Sequence, residues 1–108
     1  MANFVPSRVH LDYVETLVYT APGGGALLLS AVAANIHSDD VRVSILVRSG
    51  LEDYYLLSNA SIPVSASLSC LAGKVSLSSG DEVFALGEVD EATPPTEFAD
   101  LYLTALEM

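Results

Sequence analysis

The stretch Val41-Arg42-Val43-Ser44-Ile45-Leu46-Val47-Arg48 decides the fold class, because apolar and polar side chains alternate along it. Successive side chains of a β-strand point to opposite sides of the sheet. The three valines and Ile45 therefore fall on one face, and the two arginines, Ser44 and Leu46 on the other. The pattern predicts a strand with one face in a core and the other largely in solvent.

The segments before this strand share its period of two. Residues 9–20 alternate and then become rich in β-formers, with an expected bend near Glu15. The sequence Ala21-Pro22-Gly23-Gly24-Gly25 ends that run, because proline removes a ladder donor and glycine permits positive φ. Residues 26–36 are then predicted as a strand covered on both faces. A helix is the alternative for this Ala- and Leu-rich segment, but it lacks a capping residue and a polar face.

Five further strands are predicted toward the C-terminus, separated by short turn sequences. They cover residues 54–60, 67–71, 74–78, 82–88 and 98–107. About eight short strands, with the prolines confined to the N-terminal arm and the loops, predict an all-β fold, an antiparallel β-sandwich of jelly-roll type. We expect an N-terminal arm at residues 1–8 and a single sandwich domain at residues 9–108.

Composition indicates a subunit that needs neighbours. Of the 108 residues, 51% are hydrophobic and 17% are charged, and a domain of this size buries only about 60–70% of its unfolded surface. This much apolar surface is hard to hide in a monomer, so an obligate oligomer or a subunit docked on another protein is expected. The net charge of −10 disfavours nucleic acid and anionic membranes as partners, because those contacts depend on Lys and Arg.

The sequence carries no motif of catalysis or of metal binding. His10 and His37 are not spaced with other strong ligands, and the Ser-Asp-Asp at 38–40 lacks the alternating acids of a calcium loop. The glycines at 23–25 lack the Lys-Ser of a phosphate loop, and no serine lies in a nucleophile elbow. We therefore expect no enzyme activity, no metal and no cofactor. The single Cys70 lies in an alternating apolar run and is predicted to be a buried, inert thiol.

Four residues are candidates for a partner interface. Phe4 and Val5 belong to the apolar N-terminal arm, which is expected to dock on another chain. Tyr54 and Tyr55 should project to opposite faces of their strand, so that one ring can pack in the core while the other serves an interface. The eight acids from residue 81 onward, with no base among them, are expected in a solvated loop at 87–96 and on outward strand positions.

Short segments in a fixed order give the chain a resemblance to a known group of proteins. They are Val18-Tyr19-Thr20-Ala21-Pro22, Leu28-Leu29-Ser30, Ala34-Asn35-Ile36, Tyr55-Leu56-Leu57, Ile62-Pro63-Val64, Ser67-Leu68, Gly73-Lys74-Val75, Leu77, Gly80-Asp81 and Leu103-Thr104-Ala105-Leu106-Glu107. Over residues 17–107 this series resembles small all-β virion proteins of tailed bacteriophages, including those of cyanobacterial phages.

The resemblance implies a structural, non-enzymatic component of the virion, assembled in the host cytoplasm. The leading interpretation is an accessory capsid protein of the decoration or cement type, expected as a homo-oligomer, a dimer or trimer, which bridges subunits of the major capsid protein or binds other virion proteins. A neck, tail or baseplate adaptor of the same particle is the nearest alternative. A host-receptor or carbohydrate-binding module is a third, and it is disfavoured because the chain has few aromatic residues and no Trp.

Overall fold

The computed structural model describes residues 3–37, 39–71, 73–89 and 99–107, and these ranges form nine strands. The strands are β1 (Asn3–Leu11), β2 (Thr16–Thr20), β3 (Ala26–Asn35), β4 (Val41–Ser49), β5 (Glu52–Ile62), β6 (Ser67–Ser69), β7 (Val75–Leu77), β8 (Glu82–Glu88) and β9 (Ala99–Glu107). Every pairing is antiparallel. No helix that could span a membrane occurs in these ranges.

Two sheets form the expected β-sandwich. Sheet A has the order β1-β9-β3, and the short strands β6 and β7 both pair with the far side of β3. Sheet B has the order β2-β8-β4-β5. The last strand, β9, is therefore central in sheet A, where it pairs with both β1 and β3. The prediction of a strand, and not a helix, for residues 26–36 is confirmed by β3.

The core lies between the sheets and is built from alternating strand residues. The inward side chains of β4 are buried, and Val41, Val43 and Ile45 have no solvent exposure, as the alternation of residues 41–48 predicts. The opposite face of β4 differs from the prediction, because Leu46 is fully buried there and Ser44 almost so. Leu46 is flanked in register by Phe84 on β8 and by Tyr55 on β5, whose large side chains shield it from water.

The predicted run at 9–20 divides into two strands that belong to different sheets. β1 ends at Leu11 and β2 begins at Thr16, so the expected bend near Glu15 becomes a crossing from sheet A to sheet B. Residues 3–8, expected as an arm, lie in β1 and pair with β9. The physical reason is the alternation itself, since Val5 and Val9 point inward and pack against the core. This division accounts for nine strands where about eight were expected.

The glycine-rich turn before β3 depends on one glycine in particular. Gly25 has a φ of +78°, and a Cβ built on it would lie 2.8 Å from the carbonyl oxygen of Leu77. The close approach lets β3 begin directly beside β7. Gly23, in the same turn, has open space around it and an ordinary φ. Residues 90–96 of the predicted acidic loop lie outside the described residues.

Candidate functional site

The four predicted interface residues lie on two different sheets. Phe4 points outward from β1 in sheet A, whereas Val5 points inward and is half-buried against the core. Tyr54 and Tyr55 are both exposed, at 56% and 58%, on β5 in sheet B. The expectation that one tyrosine could pack in the core is therefore wrong. Tyr54 pairs with the core-facing Val47 and Tyr55 with Leu46, so the two rings project to opposite faces, but β5 is an edge strand of sheet B and leaves both of them exposed.

The outward side of sheet A, which we call the A face, carries Phe4, Arg8, Val32, Ala34, Asp100 and Tyr102. A groove of about 390 Å³ opens on this face where β1, β9 and β3 run side by side. Its lining includes Val32, Ala34 and Tyr102, together with the charged residues at its rim. The groove therefore lies on the same surface as exposed aromatic and aliphatic side chains. The alternation of the sequence did not predict this surface as a candidate site.

Charges on the A face are balanced. The guanidinium carbon of Arg8 lies 5.3 Å from the centroid of the Tyr102 ring, a cation–π contact. At the next outward position along the strands, Nδ1 of His10 is within hydrogen-bond distance of the Asp100 carboxylate. Asp100 is the single carboxylate that the described residues place on this face. The A face is accordingly close to neutral on a chain whose net charge is −10.

The outward side of sheet B, which we call the B face, is organised around Arg48. Its guanidinium carbon lies 4.4 Å from the centroid of Phe84, Nε donates to Asp53 at 2.7 Å, and an Nη2 hydrogen bond of 2.8 Å reaches Glu15. These carboxylates raise the pKa of Arg48, and the guanidinium lowers the pKa of Asp53. Arg48 thus covers Phe84 and ties β4 to β5 and to the β1–β2 connection.

The β4–β5 hairpin projects beyond the B face as an apolar tip surrounded by acids. Gly50, with a φ of +64°, and Leu51 form a two-residue turn, and the Leu51 side chain is fully exposed. The Tyr54 hydroxyl donates a 2.7 Å hydrogen bond to Glu52, which raises the pKa of Tyr54. Because carboxylates flank an exposed leucine and a tyrosine here, this tip suits a partner with an apolar pocket and a basic rim.

The thiol of Cys70 is buried, and the candidate metal ligands of the described residues do not cluster. Cys70 is 4% exposed, as predicted, and burial raises the pKa of its thiol, which disfavours the reactive thiolate. Across the described ranges, His, Cys, Asp and Glu form no group of three that could hold a metal ion. Ser38, part of the weighed calcium-loop sequence, lies outside those ranges. Exposed aromatic and aliphatic side chains, by contrast, occur on both outward faces of the sandwich.

No family model matches the chain, and no curated protein matches its sequence. Solved structures do share its fold. One is a chain of the acid-stable capsid of the Helicobacter pylori bacteriophage KHP30, with a TM-score of 0.64 and 11% identity over 97% of this chain and 86% of the other. Since both coverages are high, the two chains have similar lengths and similar folds from end to end.

Two other structural neighbours come from different assemblies. A chain of the Bacillus endospore appendages, a family of disulfide-linked pili, has a TM-score of 0.57 and 14% identity over 100% of this chain and 87% of that one. A chain of the T13 particle of the icosahedral virus IBDV has a TM-score of 0.51 and 7% identity, and the match covers 98% of this chain but 35% of that longer one. At these identities the likeness establishes the β-sandwich fold.

Proposed function

We propose that the protein is an accessory capsid subunit of the decoration or cement type in a bacteriophage particle, where it bridges subunits of the major capsid protein. The observation that carries this proposal is the likeness to the KHP30 capsid chain over nearly the full length of both chains. The resemblance of residues 17–107 to small virion proteins of tailed phages points the same way. No catalytic role is part of the proposal.

The two faces supply what a bridging subunit requires. A protein that joins neighbours must contact them through more than one surface, and here exposed aromatic residues occur on both sheets, at Phe4 and Tyr102 in sheet A and at Tyr54 and Tyr55 on the edge strand β5 of sheet B. Burying such groups at a junction stabilises the assembled shell by mass action. Charge complementarity assigns the acidic hairpin tip to a basic patch of the capsid protein.

The likeness to the chain of the endospore appendages raises a second role, that of a pilus subunit, which the cysteine content of this chain does not favour. The appendage proteins are described as disulfide-linked. This chain has one cysteine, and Cys70 is buried with its thiol pKa raised. A disulfide between subunits needs an accessible thiolate at the subunit contact. We therefore prefer the capsid role to that of a disulfide-linked filament.

Cryo-electron microscopy of the intact particle, at a resolution that shows side chains, tests the proposal. We expect copies of the chain at junctions throughout the icosahedral shell, with the β4–β5 hairpin against the major capsid protein. A single ring of copies at the portal, neck or baseplate would replace this role with that of an adaptor. If purified particles contained no copy of the chain, a virion role of either kind would be rejected.

A further inference from the structure

The A face leaves apolar groups in water that the fold itself does not cover. Phe4 is 72% exposed, Tyr102 46% and Val32 41%, although all three lie in regular strands. On the B face, by contrast, the comparable central residue Leu46 is fully buried between its neighbours, and Arg48 lies over Phe84. The B face thus covers its centre, although Leu17 and Tyr55 stay 48% and 58% exposed on it. On the A face the exposed groups lie beside an open groove that the chain itself does not fill.

The distribution of charge indicates that the A face binds a second copy of the chain. The chain has 14 acidic and 4 basic residues, so two copies repel each other at most orientations. On the A face the one described carboxylate, Asp100, is balanced by Arg8, and it also contacts His10. Two copies can therefore approach through this face without bringing unbalanced acids together. A basic partner would instead be drawn to the acid-rich hairpin tip and would gain little from a neutral surface.

Shape makes the A face complementary to itself. Phe4 lies near one end of β1, and the groove lies beside Arg8 and His10 near its other end. His10 is six positions after Phe4 along the strand, a distance of about 20 Å. A two-fold axis that crosses β1 near Pro6, in the plane between two facing sheets, would lay Phe4 of each copy over the groove of the other. Such an isologous contact uses one patch twice and closes as a dimer.

From these relationships we infer that the chain forms a two-fold dimer through its A face, with the Phe4 ring of each copy in the groove that Val32, Ala34 and Tyr102 line in the other. The contact leaves both hairpin tips free, one on each side of the dimer, to engage capsid subunits. The inference extends the proposed function and the oligomer expected from the sequence, but it does not depend on where in the particle the protein lies.

Sedimentation equilibrium of the purified protein tests the dimer, and we expect the wild type to be a dimer. Phe4→Glu should raise the dissociation constant about 100-fold or more, because it removes an aromatic anchor and adds a repelling charge to both copies. Tyr102→Glu should act in the same direction. Tyr13→Glu is the matched control, since it places the same charge at an exposed tyrosine in the β1–β2 connection, outside the A face, and it should leave the dimer intact.

Three results would overturn the inference: a wild type that stays monomeric at every concentration, a trimer, or a dimer that survives Phe4→Glu. Circular dichroism and melting curves of each variant separate loss of contact from loss of fold. The particle experiment is independent of this one. A trimer would leave the proposed decoration role standing, and a well-behaved dimer absent from the particle would remove that role alone.

Discussion

The hydroxyl of Tyr19 on β2 donates a 2.6 Å hydrogen bond to Oε2 of Glu107 on β9, and so joins an edge strand of sheet B to a central strand of sheet A. The Tyr19 ring is buried, and Glu107 is only partly exposed. Of the acids from residue 81 onward, which were expected in solvent, this one points into the sandwich. The contact links the two sheets at the end of β9.

Replacing Tyr19 with Phe should lower the free energy of unfolding by about 1–2 kcal/mol, because the partly buried Glu107 carboxylate loses its donor. Urea denaturation monitored by circular dichroism measures this difference. Tyr13→Phe is the control, since that ring is exposed and its change should have no measurable effect. Equal stability of Tyr19→Phe and wild type would show that water replaces the hydrogen bond at no cost.

The same contact should make stability depend on alkaline pH. Burial, and then the hydrogen bond from Tyr19 to Glu107, raise the pKa of Tyr19 well above its ordinary value of 10.0. An unfolded tyrosine ionises near that value while the folded one stays protonated, so the stabilisation is complete below about pH 10 and declines as the pH rises further. Melting temperatures between about pH 9 and 12 should fall more steeply for the wild type than for Tyr19→Phe. Parallel curves would contradict the assignment.

The outward cluster of sheet B should contribute to stability as a second, smaller core. Leu46→Ala should cost about 2–4 kcal/mol, since a fully buried leucine leaves a cavity between Phe84 and Tyr55. Leu17 is half-exposed on the edge strand β2, so Leu17→Ala should lower the free energy of unfolding by less than about 1 kcal/mol. Urea denaturation of both variants gives the comparison. A Leu46→Ala cost as small as that of Leu17→Ala would mean that the cluster collapses without loss.

Three glycine-to-alanine variants should separate backbone conformation from crowding. Gly23→Ala should be neutral, and Gly50→Ala should cost about 1–2 kcal/mol, because its φ of +64° is unfavourable for a residue with a Cβ. Gly25→Ala should cost more still, since the new Cβ would also meet the Leu77 carbonyl at 2.8 Å. Thermal melts rank the three, and any other order would refute the account of the turn before β3.

The hairpin tip should matter for incorporation into particles and not for folding. Tyr54→Ser removes an exposed ring from the proposed capsid contact, so fewer copies should be retained in purified particles while the melting temperature changes little. Tyr13→Ser, which removes an equally exposed ring from the β1–β2 connection, is the matched control. Quantitative mass spectrometry of particles made with each variant measures retention. Normal retention of Tyr54→Ser would place the capsid contact elsewhere.

Periodicity alone predicts most of this fold, and it fails where distant parts of the chain meet. The core face of β4 and the bounds of β8 follow from local alternation, which needs no knowledge of strand partners. The burial of Leu46 depends on β8 and β5, and the contact of Tyr19 with Glu107 spans 88 residues. No local pattern encodes such pairings. Local pattern does not predict the groove on the A face either, because it is formed by β1, β3 and β9, which come from distant parts of the sequence.

The central place of β9 in sheet A also bears on how the protein is made. Because β1 pairs with β9 in sheet A, it has no partner in this sheet until residues 99–107 have been synthesised. Sheet B can pair β4 with β5 and β8 earlier, but its apolar side then faces an unfinished layer. The sandwich therefore closes only once β9 is available, and a chain that stops before residue 99 would expose half of the apolar core to chaperones and proteases. The order of strands thus makes closure of the core depend on residues 99–107.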